Sequence, residues 1–119
     1  MTQFGSVELR TLFAGTEIPA MTSSVTVAAG QGVLKPGAVL GKVTENGKYK
    51  LTDKNASDGS QVASVVLAEE VDTTQGDVVT VAYTSGLFNY DALYVADGDT
   101  VEAHQEELRH GNIYFKTDY

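Results

Sequence analysis

The chain has no cysteine, which removes a disulfide framework, a thiolate zinc site and a thiol nucleophile. It has no tryptophan, only two prolines and only two histidines. No apolar run approaches the roughly 20 residues that a membrane-crossing helix needs, so no membrane partner is expected. The opening Met1-Thr2-Gln3-Phe4-Gly5 lacks a positive and then apolar leader, so secretion is not expected. Basic residues are scarce, 8 against 16 acids, for a formal net charge of −8. Such a surface repels polyanions, which argues against nucleic acid as a partner. These absences point to an acidic domain that is intracellular or associated with a larger particle.

What is present favours strands. The length of 119 residues suits one domain, and 42% apolar content is enough for a core. Fifteen valines and thirteen threonines, punctuated by twelve glycines, fit pleated surfaces joined by turns. Ser24–Ala28 and Gly47–Thr52 alternate with period two. Gln61–Ala68 is almost continuously apolar and reads as a strand buried on both faces. Asp77–Thr84 and Asn112–Lys116 are two further strands. Asn46-Gly47 predicts a type I′ hairpin, Leu34-Lys35-Pro36-Gly37 a type II turn, and Asp58-Gly59 and Gln75-Gly76 mark two more turns.

One helix is expected, after Asp99-Thr100 and through Val101–His110. Asp99 and Glu102 make a capping-box pattern, Val101, Ala103 and Leu108 a narrow buried stripe, and Gly111 a left-handed stop. Residues 1–22 read either as an extended arm or as an ordinary edge strand. Their apolar residues, including Val7, Leu9, Leu12, Phe13 and Ile18, keep no sustained period. The remainder, 23–119, reads as the β-rich body. Charge is segregated: Lys35, Lys42, Lys48, Lys50 and Lys54 surround the Asn46-Gly47 hairpin, and no Lys or Arg falls between Lys54 and Arg109. Lysines at a strand edge often serve only to discourage aggregation. As a docking feature, Lys42, Lys48 and Lys50 would orient a partner.

Catalytic chemistry has few residues to use. His104 and His110 lie six apart, not at the i, i+4 spacing of a metal pair, and histidines late in a helix commonly just complement its dipole. No serine sits in a Gly-x-Ser-x-Gly setting. Asp97-Gly98-Asp99 lacks the spacing of a calcium loop, and Glu69-Glu70-x-Asp72 reads as a solvated turn. The expectation is a protein that is not an enzyme and carries no metal or cofactor.

An ordered series of segments begins with Gly30-Gln31-Gly32-Val33-Leu34-Lys35-Pro36-Gly37-Ala38-Val39-Leu40-Gly41-Lys42-Val43. It continues through Asp58-Gly59-Ser60-Gln61-Val62-Ala63, Val78–Tyr83 and Ser85-Gly86-Leu87-Phe88-Asn89-Tyr90 to Gly111-Asn112-Ile113. This series resembles the lambda-type bacteriophage head decoration proteins, and upstream Leu12-Phe13-Ala14-Gly15 with Pro19 is similar to the arm of longer members. The resemblance implies a mainly β, small β-clip-like or barrel-like domain with one short C-terminal helix and an extended N-terminal arm. It also implies homotrimers on the outer surface of the expanded virion head, at three-fold and quasi-three-fold sites. There they hold the major capsid protein against the pressure of packaged DNA, after a period in the host cytoplasm during assembly. On this reading Val7, Leu9, Leu12, Phe13, Ile18 and Pro19 bind the capsid, and Gly86, Leu87, Phe88 and Tyr90 are candidate trimer contacts. A second resemblance competes: Val33-x-Lys35-x-Gly37-x-x-Leu40 is similar to a turn of biotinyl or lipoyl carrier domains, with Lys54 in Asp53-Lys54-Asn55-Ala56 as the modifiable tip.

Overall fold

Val65, Val66 and Leu67 follow one another along one strand. Successive strand side chains face opposite ways, so burying all three requires apolar cover on both sides. The computed structural model, which describes residues 20–116, supplies that cover with two cores. Its elements are β1 (Met21–Val27), β2 (Val33–Leu34), β3 (Val39–Lys42), β4 (Tyr49–Leu51), β5 (Ala63–Leu67), β6 (Val71–Asp72), β7 (Val78–Asn89), α1 (Gln105–His110) and β8 (Ile113–Lys116).

Strands run in the order β1-β4-β3-β5-β7, and β7 pairs back onto β1 to close a five-stranded barrel. The β1–β7 ladder is antiparallel and runs from Met21↔Ser85 to Val27↔Val78. β7 then continues past the barrel, where Gly86–Asn89 pairs in parallel with β8. One core fills the barrel with Val25, Val27, Leu40, Val65, Leu67 and Ala82. The other lies outside it, under the C-terminal segment, with Val39, Val66, Phe88, Leu93, Leu108 and Ile113. β3 and β5 thus serve both cores with adjacent residues, as the apolar run at Gln61–Ala68 foretold.

The closure is narrow at one place. β1 and β4 share a single register pair, Val27↔Tyr49, plus an Ala28 N–H to Tyr49 carbonyl bond of 2.9 Å. Gln31 completes the seam with its side-chain amide. Its Nε2 donates to the carbonyls of Ala28 at 2.8 Å and Tyr49 at 3.3 Å, and its Oε1 accepts the Leu51 N–H at 2.8 Å. Gly30 and Gly32, at φ 86° and 72°, fold the backbone around it, and Thr73 holds both from the other side.

Four local expectations need correction. The β3–β4 hairpin forms, but Asn46 is not left-handed, so the turn is not type I′. Gly47 alone takes positive φ in a longer loop closed by Gly47 N–H to Val43 carbonyl, and the Asn46 side chain accepts the Lys48 N–H at 2.9 Å. The capping box does not form: Thr100 Oγ1 accepts the Ala103 N–H at 3.3 Å, while Asp99 is engaged elsewhere. Gly111 has φ −98°, and the left-handed residue is Asn112 at 69°. The turn expected over Leu34–Gly37 forms one residue later, over Lys35–Ala38, with Gly37 at φ 99° and Ala38 N–H bonded to the Lys35 carbonyl.

Gly41 marks the closest backbone approach. A Cβ there would collide with the Ser60 carbonyl and lie 2.6 Å from that of Val62, because the segment before β5 crosses directly over β3. Gly41→Ala should therefore cost about 1–3 kcal/mol in urea denaturation. Gly76→Ala, where nothing lies within 4 Å, should be neutral or gain up to about 1 kcal/mol. Gln31→Ala, which strips three hydrogen bonds from the seam, should cost about 1–3 kcal/mol by the same measurement.

Candidate interaction surface

Among the described residues, the C-terminal segment covers one side of the barrel and meets the β1–β7 ribbon only near Tyr83. Directly paired residues of an antiparallel ladder share a face. Thr22 with Tyr83, Ser24 with Val81 and Thr26 with Val79 therefore point together, away from Val25, Val27 and Ala82. Val79 is 72% exposed, Val81 37%, and Met21, at the head of β1, 62%. Neither strand contains a charged residue, although the chain as a whole is strongly acidic.

The edge of β1 is open as well. Opposite β7, among the described residues, β1 pairs only through Val27 with β4. From Met21 to Thr26 no strand of the described residues pairs with that edge. Unpaired edges are usually blunted by lysine, proline or a bulge. Apart from a register shift at Met21/Thr22, this one has no such device. It offers backbone donors and acceptors, β-branched side chains and small hydroxyls, the requirements for adding an extended segment to a sheet.

The three candidate docking lysines are not equivalent. Lys48 on the hairpin loop pairs with Asp77, and Lys50 on β4 pairs with Asp58 at 3.0 Å. Hydrogen bonds from the Ser60 hydroxyl and amide, then Lys50, hold the Asp58 carboxyl well below the usual range. Lys48 and the Ala29 amide lower that of Asp77. Asp77 thereby ties the hairpin loop to Ala29, two residues past the end of β1. Lys42, at the end of β3, is exposed and has no ion pair among the described residues.

Of the candidate trimer contacts, Phe88 has no exposed surface and packs edge-on against Tyr83 with ring centroids 5.7 Å apart. Gly86 is buried opposite Ile113. Leu87 and Tyr90 keep partial exposure, Tyr90 resting on Phe115 at 5.4 Å. The arm residues Val7, Leu9, Leu12, Phe13, Ile18 and Pro19 lie outside the described residues, and the chain enters the body at the head of β1. Lys54 is not at a hairpin tip: β4 and β5 both pair with β3 and not with each other, so Lys54 sits on a crossover.

Sequence reasoning missed His104. It is buried, and Ala103, assigned to the apolar stripe, is exposed instead. The i, i+3 spacing to Glu107 was the available signal. Among the described residues no group of three or more His, Cys, Asp or Glu side chains is placed to hold a metal, and no helix is long and apolar enough to cross a membrane.

The fold is a closed β-barrel whose β1–β7 ribbon carries no charged residue and whose β1 edge pairs only at Val27 among the described residues. The family model for bacteriophage lambda head decoration protein D matches residues 2–111. The chain belongs to that family, whose members are structural proteins of the phage capsid. No curated protein matches the sequence significantly.

The lysines differ in what reversal should do. Lys48→Glu and Lys50→Glu set like charges against Asp77 and Asp58 and should lower the thermal midpoint, more at low than at high salt. Lys42→Glu should leave it unchanged, making it the clean probe of docking. Equal midpoints for all three variants would show that the two ion pairs contribute nothing.

Proposed function

We propose that this protein decorates the outer surface of the expanded phage head as a homotrimer, at three-fold and quasi-three-fold sites, and stabilises the shell against internal DNA pressure. The support is membership of the head decoration family, joined to one observation: an uncharged strand edge, unpaired from Met21 to Thr26 among the described residues, that directly follows the N-terminal residues. The partner is the major capsid protein. The arm, residues 1–22 with its last two already in β1, and the β1–β7 face meet it together. Lys42 helps orient the approach, and Leu87 and Tyr90 are the most accessible of the proposed contacts between copies.

The energetics favour many weak attachments over one strong one. Apolar arm residues such as Val7, Leu9, Leu12, Phe13 and Ile18 are each worth about 1.5–3 kcal/mol when fully buried. Ordering backbone costs about 1–2 kcal/mol per residue, so one arm alone binds weakly. Three arms on one trimer raise avidity by about 10²–10⁴ when the geometry lets all engage. Selectivity for the expanded state follows if only that state brings three sites to the matching separation.

Deletion of residues 2–20 should leave a folded trimer that no longer co-sediments with expanded heads. Val79→Glu in the full-length protein should weaken that co-sedimentation without changing the thermal midpoint. Undiminished binding by both variants overturns the assignment of the arm and ribbon, and sedimentation as a monomer overturns the trimer.

A further inference from the structure

Asp99, His104 and Glu107 form a chain of two carboxylates bridged by one imidazole, at the junction of the C-terminal segment with the barrel. His104 Nε2 lies 2.6 Å from Asp99 Oδ2, and Nδ1 lies 2.6 Å from Glu107 Oε1. The ring is 3% exposed and the Asp99 side chain not at all. Both carboxylates also accept backbone N–H groups from outside the helix. Asp99 takes those of Lys54 at 2.8 Å and Thr100 at 2.7 Å, and Glu107 Oε1 that of Ala63 at 2.7 Å. The bridge therefore ties α1 and the loop before it to the head of β5 and to the β4–β5 crossover.

An ionised carboxylate only accepts hydrogen bonds, and a neutral imidazole has a single N–H. Two short contacts to two carboxylates require both ring nitrogens to donate. We propose that His104, as a buried imidazolium, is a pH-sensitive latch that pins the C-terminal segment to the barrel, and that loss of its proton releases it. This inference is independent of the capsid reading.

The charged groups acting on the ring are Glu107 from α1 and Asp99 from the preceding loop. β5 meets the cluster through the Ala63 amide, and the crossover through the Lys54 amide. Glu102, Glu106, Arg109 and His110 occupy exposed positions of the same stretch. Burial favours the neutral ring, but the hydrogen bonds and charges of Glu107 and Asp99 outweigh it and raise the His104 pKa. Burial likewise pushes Asp99 upward, yet its bonds from His104, Thr100 and Lys54 prevail and hold it below the usual value. The sign follows. Below the ordinary imidazole value of about 6.5, the ring is protonated whether the latch is closed or open, and the latch contributes in full. Its contribution falls as pH climbs from there through the raised value. On the acid side it is lost when pH falls through the lowered value of Asp99.

The test uses the full-length protein. Nitrogen-15 NMR of the His104 ring should find both nitrogens protonated at pH 6, with the titration midpoint above the ordinary imidazole value of about 6.5. Amide exchange at Ala63 and Lys54, corrected for intrinsic base catalysis, should accelerate together by about tenfold per pH unit above the ordinary imidazole value, then level off. In His104→Gln that extra dependence should vanish, and in His110→Gln it should persist. A neutral His104 ring at pH 6, or wild-type exchange without the extra dependence, overturns the proposal. The wild-type measurements decide the matter alone if His104→Gln does not fold.

Discussion

Closure of the barrel at the β1–β4 seam is the constraint on which the rest depends. Every other strand junction in the ring has two or more register pairs, whereas this one has only Val27↔Tyr49. A side chain takes the place of the missing ladder. The Gln31 amide offers the two donors and one acceptor of a peptide edge without fixing another residue in a strand. If that seam parts, β1 remains attached through β7 alone, and the barrel core loses one wall.

The same economy explains the division of surfaces. β3 and β5 bury both their faces, so the C-terminal segment can pack outside the barrel on their far side. Tyr83 at one end of the β1–β7 ribbon packs on Phe88 of the second core, while Val79 and Val81 further along it stay exposed. Apolar exposure is ordinary when scattered, but here it is gathered on one face with no charge and beside an open edge. The chain belongs to a head decoration family, and the proposed capsid contact is placed on that face. The acidic residues lie off the ribbon, where they keep the remaining surface well hydrated.

Legibility in the sequence tracked the range of the interactions. Strand alternation at β1, the doubly buried β5 and the Pro36-Gly37 turn are fixed by neighbours in the chain, and each was readable. The two-residue strands β2 and β6 carry no period and exist only because they meet each other. The Asn46-Gly47 pair signalled a hairpin correctly but not its loop. There Asn46 satisfies Lys48 with its side chain instead of adopting positive φ. His104 was read as a dipole complement because its second partner, Asp99, is recruited by a loop that the helix pattern does not describe. Lys48 and Lys50 looked available until folding brought Asp77 and Asp58 to them. The candidate surface was the least legible part, since an uncovered sheet face depends on where the helix packs.

The antiparallel register of β1 on β7 has a mechanical consequence. Tension arriving from the N-terminal side enters the body at Met21 and runs along β1, with the ladder bonds lying across the direction of pull. A pull along the strand axis strains those bonds side by side, whereas a pull away from the sheet opens them rung by rung from Met21↔Ser85. Because β7 extends past the barrel to β8, the strand that holds β1 also belongs to the second core. A tether fixed at this end of the molecule is anchored to nearly the whole of it.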